Sequence, residues 1–154
     1  MADSKRHKIV EAVVARLKLI NGAGSYTTNV ANRVEDSRIN WQQDEMPAIS
    51  VFDGDAIGTP TTAGRNLGTV HAMPVLIRGI TVQGTTAANV RTLIKDIQTA
   101  IRQDDKWHVA NVQLVMQTRQ VRDAILRNAD SFEVEGCEVE IEVQFLTEKF
   151  NAET

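Results

Sequence analysis

The chain has 154 residues, of which 42% are hydrophobic, 5% aromatic and 24% charged. Its length matches one domain, and its core must be built mainly from aliphatic side chains. Lys and Arg number 17 and Asp and Glu number 20, which gives a formal net charge of −3. Proteins that function by neutralising nucleic-acid phosphates carry a basic excess, so this composition argues against that class.

Covalent and targeting features are sparse. The single cysteine, Cys137, excludes an intramolecular disulfide and a cysteine-rich zinc module. Its position in an alternating apolar stretch predicts a buried, inert thiol. The charged N-terminus lacks the apolar run of a secretory signal, and no window approaches the roughly 18 apolar residues that span a bilayer. We therefore expect a soluble protein of the cytoplasm with no membrane partner.

Two segments have the periodicity of amphipathic helices. In the first, apolar residues recur at three- and four-residue spacing from Ile9 to Ile20, and the glycine-containing run 21–24 ends the helix. The second carries its apolar stripe from Ala87 to Ile101 and ends at 103–105. Trp107 follows directly, and we expect it to pack over the end of this helix.

The first half of the chain also contains extended segments and one long loop. Residues 26–38 are weakly extended, and 46–52 form a short apolar strand. Residues 53–68 contain four of the nine glycines, and loops of this length are usually functional or disordered. Residues 70–83 return to strand composition, and Pro74 predicts a bulge or an edge there because it lacks an N–H donor.

The clearest strand lies near the C-terminus, where apolar and polar residues alternate without exception over 137–145. Residues 112–116 are another strand candidate, and 119–130 fit either a strand or a turn of helix. The order of elements predicts an α+β fold in one domain, 1–154. We expect a two-layer sandwich: a mainly antiparallel sheet of about four to six strands with two helices packed on one face.

The polar positions of this last strand form an acidic face. On a strand they point the same way, off the face that holds the apolar residues. Two interpretations stay open: a solvated sheet face, or a negative surface that lets nucleic acid pass without adhering. If the face is solvated, replacing its glutamates with lysine should leave the fold intact. The residues are Glu138, Glu140, Glu142 and Gln144.

Catalytic patterns are not found. The three histidines lack the spacing that presents two imidazoles to one metal, and the glycines of 54–68 match no phosphate-binding loop. One alternative concerns Asp53 and Asp55, which could share a divalent cation with Glu138 or Glu140, as in a metal-dependent nuclease. Asp-Gly pairs are ordinary turn formers, however, and spacing identifies no third ligand. We predict no metal and no cofactor.

The layout of the chain resembles that of the tail terminator (tail-completion) proteins of tailed bacteriophages. The resemblance lies in the first helix, RHKIVEAVVARL at 6–17, and in DEMPAISV at 44–51, an acidic turn, a proline and a short apolar strand. The second helix, followed by a tryptophan, and the alternating final strand complete it. It covers nearly the whole chain and includes no catalytic signature.

This resemblance implies a non-enzymatic virion protein. Members of that family form a ring, commonly a hexamer, which caps the head-proximal end of the tail tube, stops its polymerisation and joins the head connector, and DNA passes through the hole. The implied partners are further copies of the chain, the tail tube protein and a connector or neck protein. The implied location is the virion, and the host cytoplasm during assembly.

This resemblance implies roles for two groups of residues. The acidic strand face could line the channel, and the 53–68 loop could reach a neighbouring subunit or the connector. Shortening that loop should then spare the monomer and disturb assembly. A neighbouring neck ring and a small α+β ligand- or protein-binding module are the remaining alternatives. The loop residues in question are Asp53, Asp55, Thr61, Thr62, Arg65 and Asn66.

Overall fold

The computed structural model describes residues 4–60 and 68–148. It contains two α-helices, a six-stranded sheet and a separate two-stranded ribbon. The helices are α1 (Lys5–Leu17) and α2 (Ala87–Gln103). The strands are β1 (Val34–Asp36), β2 (Ala48–Asp53), β3 (Ile57–Pro60), β4 (Gly68–Ile80), β5 (His108–Val109), β6 (Val112–Gln113), β7 (Gln117–Arg127) and β8 (Val134–Glu148).

The main sheet has the strand order β1-β2-β4-β8-β7, and β3 pairs with β4 beyond the end of β2. All neighbouring strands in it are antiparallel except β1 and β2, which are parallel. The helix α1 contacts β1 and β2, α2 contacts β7 and β8, and the two helices contact each other. The predicted α+β class is confirmed.

Both helices begin at a capping side chain. The Ser4 hydroxyl accepts a hydrogen bond from the His7 N–H at the start of α1, and the Thr86 hydroxyl accepts one from the Asn89 N–H at the start of α2, each at 3.2 Å. Their predicted apolar stripes are buried against the sheet. In the part of the chain that the structure describes, neither helix is long and apolar enough to cross a membrane.

The core lies between the helices and one face of the sheet. The odd-numbered residues of β8 from Cys137 to Phe145 are all buried there, as the period-two pattern predicts. Cys137 is fully buried, as expected, and this burial raises the pKa of its thiol to about 12. Trp107 is 1% exposed just beyond the end of α2, and its indole N–H donates to the Thr118 hydroxyl at 2.9 Å.

Three predictions about the strands need correction or completion. The ambiguous segment 119–130 belongs to strand β7 as far as Arg127. The candidate strand 112–116 is extended only at β6, since Leu114 and Val115 instead turn inward and are buried. The long loop 53–68 is shorter than predicted, because Asp53 ends β2 and 57–60 form β3.

Pro74 lies in a central strand, so the prediction of an edge is wrong. It lies on β4, which has β8 on one side and both β2 and β3 on the other. The Gly54 N–H donates to the Pro74 carbonyl at 2.8 Å, so the backbone of Pro74 faces the break between β2 and β3. A missing donor is tolerated there because no strand residue pairs with Pro74 on that side.

The first residues of β8 and the last residues of β4 approach each other too closely for a side chain at Gly136. This residue has φ +153°, which L side chains rarely adopt, and a Cβ there would lie 2.1 Å from the Gly79 carbonyl oxygen. The contact fixes the register of the two longest strands at the end where β8 begins.

We predict that Gly136→Ala lowers the free energy of unfolding by more than about 2 kcal/mol, because the new methyl group collides with backbone. Urea denaturation followed by circular dichroism measures the loss. Gly24→Ala is the matched control, since a Cβ at Gly24 meets nothing within 4 Å and only the left-handed backbone (about 1 kcal/mol) is penalised. Equal losses in both variants would contradict this explanation.

Candidate interaction surface

The sheet face opposite the helices, which we call the open face, carries the even-numbered residues of β4 and β8. Cross-strand register places Arg78 opposite Glu138, Leu76 opposite Glu140, and Ala72 opposite Gln144. The residues of the predicted acidic face therefore lie on the open face. No helix of the described chain covers this face, since both helices pack on the other one.

Glu138 is the most enclosed of these glutamates. Its carboxylate accepts from Arg78 Nη2 of β4 at 2.6 Å and from Arg122 Nη2 of β7 at 3.0 Å. The residue is only 8% exposed. The interpretation of this face as solvated does not hold at Glu138, because arginines of both neighbouring strands cover the carboxylate. Replacing Glu138 with lysine would place three cations together, so the fold is not expected to tolerate that change.

The other two glutamates of the open face are also paired. Arg122 Nε lies 3.3 Å from Glu140 Oε2, and Arg119 Nη2 lies 3.5 Å from Glu142 Oε2. Three glutamates thus alternate with three arginines, and their charges balance. Sequence reasoning did not pair these arginines with the glutamates, because Arg78 is distant in the chain and the segment that carries Arg119 and Arg122 fits either a strand or a turn of helix. We call these six residues the charge ladder.

The divalent-cation alternative does not fit the geometry. Asp53 pairs across the sheet with Val75, whose side chain is buried under the helices, and its carboxylate forms an ion pair with Arg6 of α1. Glu138 and Glu140 lie on the open face, on the other side of the sheet. Within the described residues, no group of three or more His, Cys, Asp or Glu side chains is arranged to hold a metal ion.

One end of the sheet extends beyond both neighbouring strands. Strand β2 ends opposite Val75 and β7 begins opposite Gln144, whereas β4 and β8 continue to Gly68 and Glu148, with β3 alongside. We call this extension, residues 57–60, 68–72 and 144–148, the arm. The predicted contact residues Thr61, Thr62, Arg65 and Asn66 lie outside the described residues, between β3 and β4. Asp55, just before β3, is exposed.

The arm presents apolar side chains on the open face. Ile57 is 72% exposed and Leu146 39%, and both lie beside half-buried aliphatic residues of β4. Lys5 of α1 lies at the edge of the arm, where its ammonium group donates to the Leu146 carbonyl at 2.8 Å. On the helix side, the ring of His71 stacks on Phe145 at 5.0 Å between ring centroids.

The opposite end of the open face contains a cleft of about 620 Å³ between residues 39–46 and the turn that joins β7 to β8. We call it the end cleft. Its lining includes apolar side chains from both walls, and acidic side chains stand on the side of the β7–β8 turn. The charged residues of the lining are Glu133, Glu135 and Arg78, and the apolar ones are Ile39, Trp41, Met46, Ile80, Leu126 and Val134.

A hydrogen-bond network holds the wall of the end cleft that contains Trp41. The indole N–H donates to the Ser50 hydroxyl at 2.8 Å, and the Arg38 guanidinium lies 3.9 Å from the centre of the indole ring. Arg38 also binds Glu45 at 2.7 Å. The backbone N–H of Gln42 and the Arg38 guanidinium lower the pKa of Glu45. Sequence reasoning missed this site because residues 39–43 have no regular periodicity.

Comparison with protein-family models and with curated proteins gives no match. Among solved structures, the fold is similar to that of a chain in a structure described as "Virion of native gene transfer agent (GTA) particle". The TM-score is 0.50 and the sequence identity 10%, and the similarity covers 94% of this chain and 92% of that chain. At this identity the comparison establishes a shared fold over almost the whole of both chains.

We predict that Glu138→Gln lowers the free energy of unfolding by about 1–2 kcal/mol, because it removes the negative charge that two arginines share. The loss stays moderate because both arginines retain access to water. Glu142→Gln is the matched control, since it loses one long, exposed contact and should cost less than about 0.5 kcal/mol. Urea denaturation at low and high salt measures both. A larger loss for Glu142→Gln would contradict the burial and pairing described above.

Proposed function

We propose that the chain is a structural protein of a phage or phage-like virion, and that it acts as a ring-forming tail terminator. The ring, commonly a hexamer in the family it resembles, caps the head-proximal end of the tail tube. It stops tube polymerisation and joins the tail to the head connector. The role is architectural, without a catalytic step.

The observation that carries this proposal is the fold shared with a chain of the gene transfer agent virion. The similarity extends over more than nine-tenths of each chain, so it concerns the complete domain rather than one common motif. The resemblance of the helices and of residues 44–51 to tail terminators points to the same class of particle. The first line compares backbones, and the second compares the layout of residues along the chain.

The surface of the domain also suits a ring subunit. Exposed apolar side chains are found at both ends of the open face, on the arm at Ile57 and beside the end cleft at Ile39, which is 78% exposed. Different surfaces at two ends of a molecule favour head-to-tail contacts, and such contacts generate rings when the rotation closes. Exposed apolar patches of this kind commonly mark interfaces between proteins.

In this proposal the charge ladder faces the channel. Glu138, Glu140 and Glu142, together with Gln144, then line the hole, and their arginine partners balance their charge. A surface without a strong field of either sign neither captures nor strongly repels DNA. We further propose that the segment from Asp53 to Asn66 contacts the next subunit or the connector.

The proposal is tested by adding the purified chain to tail tube protein that is polymerising. We expect tubes to stop growing at one end, each capped there by a ring visible by negative-stain electron microscopy, and mean tube length to fall as the ratio of chain to tube protein rises. Unchanged length without end-caps would contradict the terminator role. Binding to a connector protein with no effect on tubes would instead favour a neck ring.

A further inference from the structure

We propose that Asn21 is a site of spontaneous covalent modification, in which the backbone nitrogen of Gly22 attacks the side-chain amide of Asn21. Water then opens the resulting ring and leaves isoaspartate or aspartate at this position. The inference goes beyond the proposed function, because the reaction needs only the local backbone and water as co-reactant.

The sequence singles out one asparagine for this reaction. Asn21 is the only asparagine of the chain that is followed by glycine, and every other asparagine precedes a residue with a Cβ atom. The attacking nitrogen belongs to the residue after the asparagine, so a side chain on that residue crowds the approach to the amide carbon. Gly22 has no side chain, and its backbone is the most permissive of any residue.

The fold places Asn21 in an exposed and tightly turned segment. Helix α1 has ended before it, and an isolated bridge between Asn21 and Asn29 closes the loop that follows. Gly22 has φ +78°, in the left-handed region that glycine accommodates. Residues 21–25 are all exposed, so water reaches both the amide and the ring that forms from it.

A hydrogen bond prepares the Asn21 amide for attack. The Ala23 N–H donates to Asn21 Oδ1 at 3.1 Å, which folds the side chain over the backbone that follows it. Negative charge develops on this oxygen when the Gly22 nitrogen bonds to Cγ. The Ala23 N–H thus stabilises the charge as it forms, as a donor of an oxyanion hole does. Both reacting groups belong to one short turn, so the attack is intramolecular.

The reaction consumes one water molecule and releases one molecule of ammonia, without oxidation or reduction. The Gly22 nitrogen loses its proton and bonds to Cγ of Asn21, and the bond from Cγ to Nδ2 breaks. Nδ2 takes up a proton and leaves as ammonia, so a five-membered succinimide ring remains. Water that adds to Cγ breaks its bond to the Gly22 nitrogen and gives aspartate. Water that adds to the main-chain carbonyl carbon breaks the peptide bond and gives isoaspartate.

The isoaspartate product would alter the loop that Asn21 begins. Its main chain runs through Cβ and Cγ, so it is longer by one methylene and leaves a free carboxylate, whereas the bridge to Asn29 depends on the original spacing. The same loop is held to α2 by the N–H groups of Thr27 and Thr28, which donate to the Asp96 carboxylate at 3.1 and 2.6 Å. We expect conversion to break the bridge, to loosen the loop and to lower the melting temperature.

The chain contains an internal control at Asn128. Its Oδ1 accepts from the Asp130 N–H at 2.9 Å, which is the same type of turn as at Asn21. The next residue is Ala129, however, and the Asn128 amide nitrogen donates to Glu135 at 3.1 Å. Asn128 thus shares the hydrogen bond to Oδ1 but has a Cβ on the attacking residue and a held leaving group.

The test incubates the folded, full-length chain at mildly acidic and at mildly alkaline pH and follows it by peptide mapping with mass spectrometry. We expect Asn21 to convert at least about tenfold faster than Asn128, with more isoaspartate than aspartate. The rate should rise with pH, because the Gly22 nitrogen must lose its proton. Asn21→Gln is the matched variant, since it keeps the amide but closes a six-membered ring far more slowly.

A chain unfolded in urea is incubated in parallel. Asn21 that stays intact in the folded chain while the unfolded chain converts would overturn the inference, because the fold would then block the attack. Conversion no faster than at Asn128, or at a rate independent of pH, would overturn it as well. The melting temperature should fall on incubation of the unaltered chain and stay constant for Asn21→Gln. Equal melting of converted and fresh chain would overturn the stated effect on the loop.

Discussion

The pairing of β4 with β8 is the interaction on which the rest of the structure depends. Their antiparallel ladder runs without interruption from Gly68 opposite Glu148 to Ile80 opposite Gly136. Because side chains alternate along a strand, this register decides which residues lie under the helices and which lie on the open face. A slip of one residue would move the apolar side chains of the slipped strand from the core to the open face.

The two faces of the β4–β8 pair carry different kinds of side chain. Under the helices, the odd positions form an aliphatic core that needs few aromatic residues. On the open face, the even positions bring Arg78 beside Glu138, so that glutamates packed along one strand become part of a balanced set of charges. At the Gly68 end of β4, the strands β4 and β8 extend beyond β2 and β7. At the Ile80 end, they border the end cleft. The surfaces proposed for assembly thus follow from strand length and register.

Much of the fold could be predicted from local pattern, and the rest depends on contacts between distant residues. The helices and β8 have periodicities that a single sequence reveals. Strand β7 was obscured because the irregularity between Gln120 and Arg122 interrupts its alternation. Pro74 was assigned to a bulge or an edge because the break between β2 and β3, which accommodates it, is a tertiary feature. The acidic residues of the candidate site were found, but their arginine partners, such as Arg78, were not, since only sheet register brings them together.

The central proposal is that the chain is a ring subunit at the head-proximal end of a phage-like tail. The most direct measurement is a cryo-electron microscopy map of particles assembled with this chain, with its position determined by fitting the domain. The account predicts one ring of copies between the last layer of the tail tube and the connector, with the open face towards the channel. Copies repeated along the tube, copies at its distal tip, or a single copy outside any ring would contradict it.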